Sequence, residues 1–319
     1  MLELTSGAGH AYLSQRLGCA PGELTLRELE GGVSNDVYLA QTPRGECVVK
    51  RALARLRVRE DWFCTPERAW NEVEGLRALA ELLPAGAVPA VLWEDRSEFL
   101  FAMESIPEPR TTLKSMLLAG QAPPGAAREL GRWLAICLRD GCGEVWRARF
   151  PSSDVFDNLR LDPYYRFTAA RHPDLAAPIH RLIEECSARR VALTHGDYSP
   201  KNILIAGSRM VLIDCEVIHY GDPSFDAAFM TNHLLLKTFH RPLHAPLYEA
   251  FAREFWSELG EPAWLAPAAA HHLGVLLLAR IDGKSPVEYI VDENVKRQVR
   301  AAARELILHP PAHPLDAFR

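Results

Sequence analysis

One stretch constrains this 319-residue chain more than any other: Leu193-Thr-His-Gly-Asp-Tyr-Ser-Pro-Lys-Asn-Ile-Leu204, followed closely by Val211-Leu-Ile-Asp-Cys-Glu216. Apolar runs bracket a polar loop, so the segment reads as strand, loop, strand. His195, Asp197 and Asn202 gather in the loop, and Asp214 ends the next apolar run. A carboxylate five positions before an Asn, with a second carboxylate downstream, is a donor set suited to phosphoryl transfer. Asp197 can orient a hydroxyl and accept its proton. The Asn202 amide oxygen and Asp214 can hold Mg²⁺ against phosphates. Glu216, two residues beyond Asp214, falls on the same side of an extended strand and can assist the metal.

The two halves of the chain read differently. Residues 24 to 105 carry short strand-like runs: Leu24, Leu26 and Leu29 in one, then Val37–Ala40, Cys47–Lys50, Ala90–Glu94 and Phe99–Met103. Gly31-Gly32 and Pro43-Arg44-Gly45 punctuate them as turns. A helical period runs from Pro66 to Leu83, with Trp70, Val73, Leu76, Leu79 and Leu83 on one face, Thr65 as N-cap and Pro66 in the first turn. Beyond Pro107, Pro109 and Pro123-Pro124 the pattern is helical over 125–140, 173–189, 223–239, 243–259, 264–280 and 292–307, with 191–220 the exception. The expected class is α+β: residues 1–106 as a small antiparallel sheet with one helix, residues 107–319 as a larger, mostly helical lobe.

The first half contains parts that fit a nucleotide. Gly31, Gly32, Ser34 and Asn35 lie between two strands, where small residues let backbone N–H groups approach phosphate oxygens; most glycine pairs, however, are only turns. Lys50 ends the third strand and can reach phosphates, or can be a solvated strand-end lysine. Glu72, on the following helix, can pair with it, and Glu67 and Glu74 share that helix.

The loop pattern resembles the catalytic and metal-binding loops of the protein-kinase-like superfamily. The His-Gly-Asp opening and the later Tyr220-Gly-Asp-Pro-Ser-Phe-Asp226 resemble the aminoglycoside phosphotransferase and choline kinase group. That resemblance implies a two-lobed fold, ATP and Mg²⁺, and Asp197 and His195 as catalytic residues. It implies Met103, Glu104 and Ile106 as an interlobe hinge that reads adenine through its backbone, and it favours Glu72 as the partner of Lys50. Asp226 is expected to cap the next helix or brace the His195 loop. A chance turn with a structural Asn is the bland alternative, and correctly spaced Asn202, Asp214 and Asp226 weigh against it. Val48-Val-Lys-Arg-Ala-Leu-Ala-Arg-Leu-Arg57, Trp62 and Pro66-Glu-Arg-Ala-Trp-Asn-Glu-Val-Glu74 resemble methylthioribose kinases in particular. The chain departs from that pattern at Asn202 and at Asp214-Cys-Glu216, where those kinases lack the Asn and read Asp-Pro-Glu. Other sugars and amino alcohols stay open as acceptors.

Other features narrow the function. A net charge of −5 gives no reason to expect a nucleic-acid partner. No apolar run reaches the ~18 residues that span a bilayer, and Met1–Tyr12 has no signal-peptide pattern, so a cytoplasmic protein is expected. Seven scattered cysteines with no paired motif read as reduced thiols. The stripe Lys50, Arg51, Arg55, Arg57 and Arg59 attracts phosphates or forms a solvated face. Only twelve positions separate Asp214 from Asp226, too few for a peptide platform. The expected acceptor is therefore a small hydroxyl compound, a sugar or sugar-like alcohol. An aminoglycoside or amino alcohol is the alternative, and a catalytically inactive nucleotide-binding module is the competitor from another class. Arg280 faces the acceptor or satisfies helix-end carbonyls, and Tyr164 and Tyr165 stack on substrate or pack in the core. A polycationic acceptor needs a cluster of acids opposite Asp197, for which Glu249, Glu254, Glu258 and Glu261 are available; a wall with Arg280 or tyrosines and few acids suits a neutral or phosphorylated sugar. Oligomeric state is left open.

Overall fold

A computed structural model describes residues 3–29, 34–57, 62–260 and 262–319. The chain opens with helix α1 (Gly7–Leu17), then β1 (Thr25–Glu28), β2 (Asn35–Thr42), β3 (Gly45–Ala52), helix α2 (Arg68–Leu82), β4 (Val91–Asp95) and β5 (Leu100–Glu104). The strands form one antiparallel sheet in the order β1-β2-β3-β5-β4. Successive side chains on a strand point to opposite faces, and β3 shows the consequence. Cys47 and Val49 pack with Leu4, Leu13 and Leu100 on the α1 side, while Val48 and Ala52 join Val73, Leu76 and Leu79 of α2. Lys50 keeps that phase and therefore faces α2.

Two local expectations change. Helix α1 was not anticipated; Ser6 caps it by accepting from the Gly9 N–H at 3.1 Å. Helix α2 starts two residues later than Pro66, because the Thr65 hydroxyl bonds the Glu67 carboxylate rather than a helix N–H.

The second lobe is mostly helical. It runs β6 (Thr111–Thr112), α3 (Leu113–Leu118), α4 (Ala126–Asp140), α5 (Glu144–Arg149), α6 (Asp154–Phe156), a π-helical stretch Asp157–Arg166, α7 (Phe167–Arg171) and α8 (Ala176–Ala188). Then come β7 (Ala192–Thr194), β8 (Ile203–Ala206), β9 (Arg209–Leu212), β10 (His219–Gly221), α9 (Ser224–His240), α10 (Ala245–Glu258), α11 (Leu265–Asp282) and α12 (Glu293–Leu308). Helices α9 and α11 are buried almost all round and form the centre of this lobe. Two small sheets, β10-β7 and β6-β8-β9, carry the loops on either side of Asp197 and Asp214. The molecule is thus a two-lobed α+β structure. Among the described residues, no helix is long and apolar enough to cross a membrane.

Helix α4 meets α10 at its backbone. A Cβ on Gly131 would lie 2.3 Å from the Phe255 carbonyl oxygen. Gly131→Ala should therefore destabilise the protein by about 1–3 kcal/mol despite its better helix propensity, read as a drop in thermal midpoint. Gly22→Ala, with nothing within 4 Å of the new methyl, should be neutral or slightly stabilising.

Candidate active site

Lys50 is 4% exposed, so its charge needs partners. Its Nζ lies 2.7 Å from Glu72 Oε1 on α2 and 2.7 Å from Asp214 Oδ1, beyond β9. Burial opposes protonation of Lys50, but the Asp214, Glu72 and Glu216 carboxylates outweigh it and raise its pKa. Burial also pushes Glu72 up to about 7, against the pull of Lys50. The rival acids on α2 are occupied elsewhere: Glu74 with Arg149, Glu67 with Thr65. Lys50 is therefore not a strand-end side chain in solvent but an interior residue of β3 with two carboxylates. The basic stripe divides: Arg51 is buried, whereas Arg55 and Arg57 are exposed. Arg51 pairs with Asp36 at 2.7 Å and Arg57 reaches both Asp36 and Glu28, while Arg59 lies outside the described residues.

Asp214 and Glu216 do not share a strand. Asp214 has φ +67°, a left-handed conformation that costs energy in a non-glycine residue, and Glu216 follows in a turn. Even so, Glu72, Asp214 and Glu216 each offer an oxygen within 4.8 Å of the others. Glu216 accepts from Ser34 Oγ at 2.7 Å, Asn35 Nδ2 at 2.9 Å and Arg68 Nε at 3.0 Å, which ties the start of β2 to the site. Gly31 and Gly32 lie outside the described residues.

The His195 loop is built on β7. Gly196 has φ +76°, and a Cβ there would meet the Val217 carbonyl at 2.9 Å, so only glycine fits. Asp226, in the first turn of α9, accepts from the His195 N–H at 2.6 Å and the Gly196 N–H at 2.8 Å. It braces this loop, while burial pushes its pKa up to about 7. His195 is buried within this loop. Its Nδ1 accepts the Asp197 backbone N–H at 3.1 Å and its Nε2 faces Cys215, so it positions the backbone of Asp197. Asn202 spends its amide nitrogen on the Asp197 carbonyl at 2.9 Å, leaving its oxygen available.

Asp197 is 1% exposed. Its Oδ2 lies 2.8 Å from Arg160 Nη2 and 2.9 Å from Lys201 Nζ, close enough for ion pairs though neither contact is aligned as a hydrogen bond. Its Oδ1 has no partner among the described residues. Burial raises the carboxyl pKa, but Arg160 and Lys201 outweigh it and the net direction is down. Arg160, from the π-helical stretch, and Arg68 escaped sequence reasoning because no local spacing links them to the acids they meet. Lys201 stood in the motif, four residues from Asp197, with no role assigned.

At the end of β5, Met103 is buried opposite Val48 and Glu104 gives its carboxylate to Arg209 at 2.7 Å. The Ile106 carbonyl accepts from Arg110, whereas its N–H has no partner among the described residues. Arg280 is buried between Tyr164, whose hydroxyl accepts at 3.0 Å, and Ser285. It lines a cleft with Lys114, Pro200, Lys201, His233 and Tyr289. Tyr165 is core, bonded to His272 at 2.7 Å. A cavity of about 690 Å³ opens elsewhere, between the α2–β4 connection and α4. It contains none of these acids, so chemistry rather than volume locates the site.

The family model of the phosphotransferase enzyme family matches residues 25–267, and the chain belongs to that family. It is 29% identical over 262 residues to methylthioribose kinase 1 of Oryza sativa subsp. japonica, covering 73% of this chain and 61% of that protein. It is 28% identical over 276 residues to methylthioribose kinase of Escherichia coli, covering 75% and 65%. The chain thus spans less than two thirds of the length of either relative. The structure of the streptomycin-ATP-APH(2")-IIa ternary complex superposes with TM-score 0.55 at 15% identity, over 96% of this chain and 99% of that one, and shows the same protein-kinase-like fold.

Burial holds the His195 pKa down at about 4, against an ordinary 6.5. Between those values the unfolded chain binds a proton that the folded chain does not, so this group removes stability as pH falls through the window. His195→Asn keeps an acceptor without the titration. The stability advantage of wild type over the variant should shrink by about 3 kcal/mol between pH 7 and pH 4, measured by denaturant unfolding. A constant difference would show that the His195 pKa is the same in the folded and the unfolded chain.

Proposed function

We propose that the chain is an ATP-dependent phosphotransferase acting on a hydroxyl of a small molecule, a sugar or sugar-like alcohol. The observation that carries this reading is Asp197: a fully buried carboxylate with one oxygen held by two cations and the other unpartnered, in the same loop system as the Lys50–Asp214 pair. In this reading residues 1–106 form the nucleotide lobe and residues 107–319 carry the catalytic loop and acceptor wall.

Lys50 contacts the phosphates, fixed by Glu72, and the Ile106 N–H together with the backbone of Met103 and Glu104 meets the adenine. Asn202 and Asp214 offer hard oxygen donors suited to Mg²⁺, and Glu216 stands within reach of the same ion although its oxygens already accept three hydrogen bonds. When bound, Mg²⁺ neutralises phosphate charge. Asp197 orients the acceptor hydroxyl through Oδ1. A carboxylate whose pKa is held low is a weak base, so orientation is its main contribution, and it takes the proton as the new phosphate ester forms. His195 acts through the Asp197 backbone.

The wall beside Asp197 favours a sugar over a polyamine. The acids that an aminoglycoside needs are engaged elsewhere: Glu249 pairs with Arg253, Glu254 with Arg128 and Glu258 with Arg132, and Glu261 lies outside the described residues. An inactive nucleotide-binding module is disfavoured because Asp197, Asn202 and Asp214 are all present, with Asn202 bonded to the Asp197 carbonyl and Asp214 to Lys50.

A panel of hydroxylated metabolites and aminoglycosides, scored for ADP release with Mg-ATP, tests the reading. Asp197→Asn should lower turnover on the best acceptor by about 10²–10⁴-fold with ATP binding retained. Near-normal turnover would remove Asp197 from the mechanism.

A further inference from the structure

Beside Asp197 the second lobe gathers four cationic side chains from separate elements. Lys114 comes from α3, Lys201 from the catalytic loop, Lys237 from α9 and Arg280 from α11. Lys114, Lys201 and Arg280 line one small cleft, about 20 Å³, with His233 and Tyr289. Lys201 joins that cleft to the chemistry, because its Nζ is 2.9 Å from Asp197 Oδ2.

Two of the four charges have carboxylate partners: Lys114 with Glu288, Lys201 with Asp197. Arg280 and Lys237 have none among the described residues. Arg280 is 9% exposed and bonds only the Tyr164 hydroxyl and Ser285. Lys237 is wholly buried one helical turn beyond His233. Its Nζ donates to the His233 carbonyl at 3.0 Å and lies 5.5 Å from the Tyr289 ring centroid. Buried charges are ordinarily paired, and an uncompensated one is costly.

The same cleft also concentrates unpartnered polar atoms. Arg280 Nε, His233 Nε2 and the Tyr289 hydroxyl are all buried without a hydrogen-bond partner among the described residues. Such atoms are scarce in folded proteins, and three of them around one cleft are donors or potential donors. Burial, with Lys114 and Arg280, lowers the Lys237 pKa to about 7, and burial with Arg280 holds His233 neutral. Both directions describe more cations than anions around the cleft, with Glu288 and Asp197 the carboxylates present.

We propose that this cleft binds an anionic group of the phosphate acceptor, a carboxylate or phosphate on the same small molecule whose hydroxyl meets Asp197. The proposal rests on the phosphotransferase reading above and narrows it to acidic sugars, sugar phosphates and hydroxy acids. Arg280 Nε and the Tyr289 hydroxyl donate to the anion, and Lys237 supplies charge from behind.

The test uses matched acceptor pairs with Mg-ATP: ribose against ribose 5-phosphate, glucose against gluconate, glycerol against glycerate. The anionic member of at least one pair should be used with kcat/KM about 10- to 100-fold higher than its neutral partner. Arg280→Gln should raise KM for the anionic member by a similar factor and leave kcat within a few-fold. Lys237→Met, which leaves the Ser285 contacts of Arg280 intact, should also raise KM and covers the case in which Arg280→Gln folds poorly. A second arm measures thermal protection by sodium sulfate against sodium chloride at equal ionic strength, expected in wild type and lost in both variants. Neutral or polycationic acceptors used equally well, or sulfate protection equal in all three proteins, would overturn the proposal. If no acceptor releases ADP while sulfate protects only the wild type, the anion cleft stands and the phosphotransferase reading falls.

Discussion

An ammonium group taken out of water needs anionic company, and Lys50 meets that need with carboxylates from two other parts of the chain. Glu72 comes from α2 and Asp214 from the loop after β9, each at 2.7 Å. Satisfying this one charge therefore joins the sheet, its helix and the second lobe. Glu216 extends the network to Ser34, Asn35 and Arg68. Breaking one partner would leave the remaining charges buried and unpaired, so the triad is costly to dismantle piecemeal.

A second charge centre surrounds Asp197. Asp197 is held by Arg160 and Lys201, and behind them lie Tyr164 and Arg280. The two centres have a common signature. Glu72 Oε2, Asp197 Oδ1, His233 Nε2 and Arg280 Nε are buried polar atoms without hydrogen-bond partners among the described residues. In a finished interior nearly every such atom is satisfied. Their grouping is one of the observations on which the proposed site rests.

Much of the fold was legible because it is local. The period from Pro66 to Leu83 found α2, and six helical stretches of the second half lie within a few residues of their observed spans. Asp197, Asn202 and Asp214 were legible as a spacing within one short segment. What sequence could not show was orientation. Lys50 read as a strand end, because nothing local says that β3 continues to Ala52 or that α2 covers it. Asp214 and Glu216 read as strand neighbours, whereas the left-handed turn at Asp214 places both near Glu72 by another route. Arg160 approaches Asp197 from a π-helical stretch interrupted by Pro163, which carries no recognisable period. Arg280 stood open between the acceptor and helix-end carbonyls, and Lys237 carried no signal at all until tertiary packing placed the two in one cluster.

Calorimetric titration of ATP into the protein, with Mg²⁺ and with EDTA, addresses the Lys50 centre directly, with Lys50→Met as the comparison. The account predicts that ATP binds more tightly with Mg²⁺ than with EDTA, and that Lys50→Met weakens the Mg²⁺-dependent binding by about 10- to 100-fold, the worth of a hydrogen bond to a charged group. Equal affinity with EDTA, or unchanged affinity in Lys50→Met, would contradict it.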